Sequence, residues 1–514
     1  MIGKLVNWET GESVDWETGK SVSREPNLPV YRSTDLPIYH FVGIGGIGLS
    51  AIAKVLLEEG FQVSGSDLRL SPITDALADL GAAIYQGHRA ANVDQADLVV
   101  VSSAIPVDNA EVTAAREKGI RVVKRDWVLG HMMEDRFVIA VAGSHGKTTI
   151  AAMIALLLTE AGLDPTFIVG GVLQNLGTNA RAGRGEHFVV EADEYDRTFL
   201  GLRPRMAVVT NIEMDHPDCY PDLDDLLEAF REFVELVPAD GCVIGCGDEE
   251  RVREVLAREQ GSKGAREQGS KGAEERGPDI VTYGLNGGVD WQAIDIRSNE
   301  LGGNDFVALH DGCMVGEFAL RIPGLQNVQN ALAVLAVAHE LGLDLTGVGE
   351  TLRGYRGVQR RFEVKGQVNG VVVIDDYAHH PTQIRATLRA ARERYAGRTI
   401  WTVFQPHTYS RTKALLSEFA SSFADADHVI VTAIYAAREF DDLGVNAADI
   451  VARMSHPDAH YICGLNEAAQ HLRNHLKPGD VLITLGAGDG YKVGEMLLAE
   501  GVSEERSKGE LVWW

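Results

Sequence analysis

At 514 residues the chain is too long for one ordinary domain, and three domains are expected. Its 45% hydrophobic and 24% charged residues are those of a water-soluble globular protein, and a formal charge of −26 argues against nonspecific nucleic-acid binding without excluding a local basic pocket. Five cysteines, few and odd in number, argue against a disulfide framework and point to a reducing, cytoplasmic setting; neither a membrane-length apolar run nor a signal peptide is expected.

Residues 1–36 read as a poorly ordered leader in which Trp8–Val14 is nearly repeated as Trp16–Val22. Ile38–Val42, Gln62–Ser64 and Asp97–Val101 then read as strands separated by helical patterns, the rhythm of a doubly wound parallel sheet. Between the first of these strands and its helix, Gly43-Ile44-Gly45-Gly46-Ile47-Gly48 satisfies G-x-G-x-x-G, and Asp67 ends the next strand. Such a turn places a diphosphate on a helix N-terminus and an acid near a ribose, for NAD or for a UDP-sugar alike. The bland alternative is a tight turn packed by glycines.

A second series of strands and helices starts at Phe137. The apolar run Phe137–Ala142 leads into Gly143-Ser144-His145-Gly146-Lys147-Thr148-Thr149 and then a helix. Strand, glycine loop, Lys-Thr and helix is the layout that cradles nucleotide phosphates, with the lysine as point charge and the threonine hydroxyl available to Mg²⁺. The usual P-loop spacing would put a glycine at Val141. Downstream, Val189–Glu194 and Val208–His216 end strands on polar residues, and Glu191 with Asp193 would share a face if their strand ran through both. Thr148, Glu191 and His216 thus stand to converge on magnesium–ATP at the carboxyl edge of the sheet. Cys242 and Cys246 read as buried apolar residues, not metal ligands, because no second pair has zinc-site spacing. The octad at 257–264 returns unchanged at 265–272, a charged, glycine-rich surface insertion at 257–277. Asn327 and Asn330 share one face of a helix beginning after Pro323-Gly324, placed either to meet a base or to cap the helix.

A third series, from near Phe362, has strands at Val371–Ile374, Thr399–Phe404, His428–Thr432 and Val481–Leu485. Asp375–Pro381 reads as a substrate-contacting loop, since neighbouring residues of an extended chain diverge too much for four ligands on one metal. After the next strand, His407 and Arg411 are set to clamp a carboxylate. Domain boundaries are expected near 133 and 356, giving 37–133, 134–356 and 357–514.

In this order the motifs Gly43–Gly48, Gly143–Thr149, Glu191–Glu194, Thr210–His216, Asn327 with Asn330, Arg360–Phe362, Asp375–Pro381, Phe404–Thr412 and Gly486–Asp489 resemble the Mur ligase family, over roughly residues 37–500. The resemblance implies three α/β domains: a Rossmann-like UDP-binding domain, a P-loop-type ATPase domain and a Rossmann-like C-terminal domain. It implies ATP and Mg²⁺, and attachment of L-alanine to the carboxylate of UDP-N-acetylmuramate by a cytoplasmic monomer or homodimer. Carried onto this chain, Gly43, Gly45, Gly46, Gly48, Asp67, Ser103 and Asn179 would hold the UDP substrate. Gly143, Ser144, His145, Gly146, Lys147, Thr148, Thr149, Asn327, Asn330 and Arg361 would meet ATP, and Thr148, Glu191 and His216 would serve the metal. Tyr377, His379, His407 and Arg411 would lie at the amino acid, with Lys147, His216, Arg361 and Asp376 catalytic. Gln326 and Gln383 depart from the family's frequent histidine and glutamate. No lysine follows shortly after His216, and Gln405-Pro406-His407 is present. The first favours the alanine-adding branch over sister ligases that carry such a lysine, and the second favours it over a tripeptide-adding recycling branch. An NAD-binding oxidoreductase or regulator built on Gly43–Gly48 is the alternative of a different class.

Overall fold

The structure is a computed structural model. It describes three short strands near the N-terminus and residues 37–217, 219–257, 277–437, 439–441 and 443–499. The three short strands, Leu5–Asn7, Glu12–Asp15 and Lys20–Val22, pair antiparallel within the expected leader. The rest of that leader, and all but the ends of the expected insertion, lie outside the described residues.

Three larger sheets follow. The first is parallel throughout, in the order Ala83–Gln86, Gln62–Asp67, Ile38–Val42, Leu98–Val101, Arg121–Lys124. The second has ten strands. Its parallel heart is Thr166–Leu173, His187–Glu191, Phe137–Ala142, Met206–Val209, Cys242–Cys246, Asp279–Gly284. The third runs Glu363–Val368, Val371–Asp376, Val481–Leu485, Ile400–Phe404, His428–Val431, Ala459–Tyr461, parallel except for the first.

Phe137–Ala142 is apolar at every position because both faces of its sheet are covered. Ile139 and Val141 pack under the helices Lys147–Glu160 and Leu325–Glu340, while Val138, Ala140 and Ala142 face Leu226, Phe230 and Phe233 of the helix Leu223–Glu235. Val141, where the usual spacing wants a glycine, is a fully buried strand residue, so the phosphate loop proper begins only at Gly143.

The central sheet goes beyond the expected βα series. Trp291–Ser298, Asn304–His310 and Cys313–Ala319 extend it as an antiparallel meander. Its tight hairpin turns on Asp311 (φ 51°) and Gly312 (φ 74°), with His310 opposite Cys313. Two successive positive φ values are what an Asp-Gly hairpin turn supplies. Cys242 and Cys246 lie buried in a central strand, and burial pushes both thiols up to about 12, which fits their reading as inert core residues.

Candidate active site

The loop Gly143–Gly146 joins its strand to the helix Lys147–Glu160 at the carboxyl edge of the central sheet. Two glycines are required here. A Cβ on Gly143 (φ +130°) would stand 1.9 Å from the Thr210 hydroxyl, and one on Gly146 (φ +86°) 2.8 Å from Asn330 Oδ1. Ser144 exchanges hydrogen bonds with the backbone of Glu213, and Thr210 Oγ1 donates to His145 O.

Lys147 Nζ donates to Glu194 Oε2 at 2.7 Å, and Glu194 is 2% exposed. Burial alone would lower the Lys147 pKa, but Glu194, Asp193 and Glu191 outweigh it and raise it above the ordinary value. Thr148 Oγ1 lies 2.9 and 3.0 Å from the two Glu191 carboxylate oxygens. Hydroxyl and carboxylate oxygens side by side at a phosphate loop are the hard donors Mg²⁺ prefers, so these residues fit that ion. The strand ends at Glu191, which corrects the expectation that Glu191 and Asp193 share a strand face. Beyond the strand Asp193 turns to the first sheet's domain and accepts from Arg125 Nη2 at 2.6 Å.

A cavity of about 210 Å³ opens beside the loop. His145, Gly146, Thr149, Asn327 and Asn330 line it from the central domain, Arg361 and Asp376 from the edge of the third. The asparagines do share a helix face: Asn330 Nδ2 donates to Asn327 Oδ1 at 3.1 Å. Neither caps the helix, because Gly324 is its N-cap residue. Asp376 accepts from the backbone N–H of Phe362 and Ala378, yet burial holds its pKa above the ordinary value despite Arg361. Arg361 in turn lies over the Tyr377 ring.

The central and third domains meet along a seam of side-chain bonds. Gln383 Oε1 accepts from the backbone N–H of His379 and His380, so its amide N–H faces His145 Nδ1 at 2.9 Å. His145 therefore carries its proton on Nε2 and donates it to Glu213 Oε2 at 2.8 Å. Thr382 Oγ1 donates to Glu213 Oε1. Burial works against ionisation of Glu213, but the His145 and Thr382 bonds prevail and pull its carboxyl down to about 2. Among the described residues, His145, Glu213 and His380 are the one trio with ligand atoms within 4.8 Å of one another. With a proton fixed between His145 and Glu213, the trio is a latch between domains.

A second cavity, of about 310 Å³, lies where all three domains meet. Ser103 and Arg125 line it from the first domain, Asp193, Tyr195 and His216 from the second, His407, Ser410, Arg411 and Glu439 from the third. Arg411 was expected to clamp a substrate carboxylate. Two of its nitrogens instead bind Asp215 Oδ1 at 2.9 and 2.7 Å, both side chains being 6% exposed, and Nη1 is left beside His407. Burial disfavours the Asp215 anion, but Arg411 holds its pKa well below the ordinary range. His379 is stacked edge-on to Tyr377 and lies 6.2 Å from His407 between ring centroids. Its Nδ1 faces Tyr377 O at 2.9 Å, and burial followed by Arg411 holds its pKa well below the ordinary value.

No residue of the glycine turn of the first domain lines this cavity. Asp67 is occupied there, accepting from Gly45 N–H at 3.0 Å and Arg69 N–H at 3.1 Å. A Cβ on Gly45 would come within 2.9 Å of that carboxylate, and one on Gly48 within 3.0 Å of Arg125. Gly43 and Gly46 close the turn with a backbone hydrogen bond of 3.2 Å. Asn179 lies on the strand Thr178–Arg181 and lines neither cavity.

Family models match nearly all of this frame. The Mur ligase family catalytic domain covers residues 38–137, the Mur ligase middle domain 141–338, and the Mur ligase glutamate ligase domain 360–488. The chain belongs to the Mur ligase family. A UDP-N-acetylmuramate–L-alanine ligase from Geobacter sp. (strain M21) is 46% identical over 89% of this chain and 96% of its own length. The solved UDP-N-acetylmuramate-alanine ligase MurC from Thermotoga maritima is 28% identical, with a TM-score of 0.76 over 91% of this chain and all of that one. A murein peptide ligase from Psychrobacter arcticus is 26% identical, with a TM-score of 0.69 over 93% of this chain and all of that one.

The sequence singled out His145, Asn327, Asn330, Arg361 and Asp376 in the lining of the smaller cavity, and His145 and Arg411 at the seam, but not the pairing across that seam. Glu194, Glu213 and Asp215 are charged residues inside recognised motifs, and Gln383 stands two positions beyond one. What marks them is their partners, which come from distant segments and appear only once the domains dock.

Proposed function

We propose that this Mur ligase joins L-alanine to the carboxylate of UDP-N-acetylmuramate, converting ATP to ADP and phosphate, as a cytoplasmic step of peptidoglycan precursor synthesis. The observation that carries it is the cavity beside the phosphate loop: His145, Gly146 and Thr149 line it from the loop and its helix, and Arg361 and Asp376 line it from another domain. A simple ATPase has no need of that second domain, whereas a ligase must shield an activated carboxylate from water. The alanine-ligase names of its relatives at 43–46% identity support the choice of amino acid.

In this reading the muramyl carboxylate attacks the γ-phosphorus of ATP, giving an acyl phosphate and ADP. The neutral amine of L-alanine then attacks the acyl carbon, and phosphate leaves from the tetrahedral intermediate. Lys147 exchanges Glu194 for the phosphates and offsets their charge. Thr148 and Glu191 would hold Mg²⁺, which when bound supplies further charge neutralisation at the phosphates. Ser103, Arg125 and the Gly43–Gly48 turn receive the UDP-sugar. His216, on the wall of the three-domain cavity, and His379, 6.2 Å from the lining residue His407 between ring centroids, are the candidate bases for the amine proton.

The test is phosphate release from ATP with UDP-N-acetylmuramate, comparing L-alanine with glycine, L-serine and the tripeptide. L-alanine is expected to give the highest kcat/KM. A preference for the tripeptide would assign the protein to the recycling branch.

A further inference from the structure

The edge of the third sheet away from both cavities carries histidines that ligation leaves unused. Parallel register sets Trp401 opposite His428 and Ile430 opposite His460, so these side chains share one face. The helix Leu465–His475 packs on that face through Ala468, Ala469 and Leu472. Its final turn places His471 and His475 at i and i+4, one above the other. Their ring centroids are 4.1 Å apart, and His460 lies 5.7 Å from His471. Trp401 stacks on His428 at 3.8 Å and lies 6.3 Å from both helix histidines.

One nitrogen of several rings is already fixed. His460 Nε2 bonds Asp458 Oδ1 at 2.6 Å, and the other oxygen of Asp458 receives His428 Nδ1. His475 Nδ1 donates to the His471 carbonyl at 2.7 Å. A ring that donates through one nitrogen presents a lone pair on the other, so Nδ1 of His460 and Nε2 of His475 are left as donors to a cation. An imidazole oriented by a carboxylate is the usual outer support of a metal ligand. The rings of His460 and His475 are exposed, and the three ligand nitrogens do not lie within 4.8 Å of one another as they stand, so binding an ion requires these side chains to rotate inward.

We propose that His460, His471 and His475, supported by Asp458, form a transition-metal site that takes Zn²⁺ or Ni²⁺. Three imidazoles suit these borderline cations and offer nothing to Mg²⁺, which wants oxygen. The bound ion would tie the edge strand Ala459–Tyr461 to the helix that covers it.

Titration of the full chain with Ni²⁺ alone tests this, followed by calorimetry and by fluorescence, because the paramagnetic ion quenches nearby Trp401. The wild type is expected to bind with quenching, and Mg²⁺ in excess is expected not to displace the ion. His471→Ala with His475→Ala should abolish the quenching and remove that binding event. Asp458→Asn should weaken binding about tenfold or more. These side chains lie outside the catalytic machinery, so ligation rates should stay at the wild-type level. Absence of quenching in the wild type, an unchanged isotherm in the double variant, or displacement by Mg²⁺ would each overturn the site.

Discussion

Lys147 rests on Glu194, a carboxylate that has almost no access to solvent. Nucleotide phosphates must compete with it for the ammonium. Lys147→Ala is therefore expected to cut ligation by about 10²–10³-fold through lost charge stabilisation. The same change strands Glu194 without its partner, at a cost of about 3–5 kcal/mol to the central domain. Adding Glu194→Gln should restore the denaturation midpoint without restoring turnover. Wild-type turnover by Lys147→Ala would remove the lysine from the mechanism. His380 gives a second residue-scale expectation. Its pKa is lowered to about 4 by burial and then by His145, from an ordinary 6.5. The unfolded chain thus binds this proton first, so stability is complete above about pH 6.5 and falls as pH drops toward 4. Denaturant titrations at pH 5 and pH 7.5 should show a lower midpoint at pH 5, and His380→Asn should flatten the difference. Residues such as Lys147 and Thr148 were legible because their types are conspicuous after a glycine loop. Glu194 was not, because its importance lies in a contact and not in its spacing.

At the scale of elements, the end of the strand His187–Glu191 positions the carboxylate proposed to hold Mg²⁺. Glu191 is its last residue and reaches the first turn of the phosphate-loop helix at Thr148. Thr148→Val keeps the shape but removes the hydroxyl, and is expected to raise the Mg²⁺ concentration needed for half-maximal rate while leaving UDP-sugar affinity unaltered. An unchanged Mg²⁺ dependence would take Thr148 out of the metal site. Strands buried on both faces, such as Phe137–Ala142 and Val481–Leu485, could be read to the residue because they are apolar throughout. The meander over 291–319 escaped notice because its strands alternate polar and apolar residues around exposed turns, a weaker signal. The Asp311-Gly312 hairpin was its clearest trace.

For the whole molecule, the arrangement of the domains turns on a few buried charges. Arg411 of the third domain clamps Asp215 of the second, next to the Gln383–His145–Glu213 latch. Arg411→Ala would leave Asp215 buried and unpaired at about 3–5 kcal/mol, enough to favour separation of the two domains. Small-angle scattering should then give a larger radius of gyration than the wild type, and superimposable profiles would refute the clamp. No run of sequence announces such a contact, since Asp215 and Arg411 are separated by 196 positions and become neighbours only through docking. The three strand-and-helix series supplied the domain plan, whereas the latch comes from geometry. Domain closure and ligation are joined in one claim: the cavity between Gly143–Thr149 and Arg361 generates an acyl phosphate that only an amino acid should consume. The most direct test is phosphate release from ATP in the presence of Mg²⁺, with and without UDP-N-acetylmuramate and L-alanine. Release at full rate only when both are present, one phosphate per amide formed, is the expected result; release indifferent to the sugar nucleotide and the amino acid would contradict it.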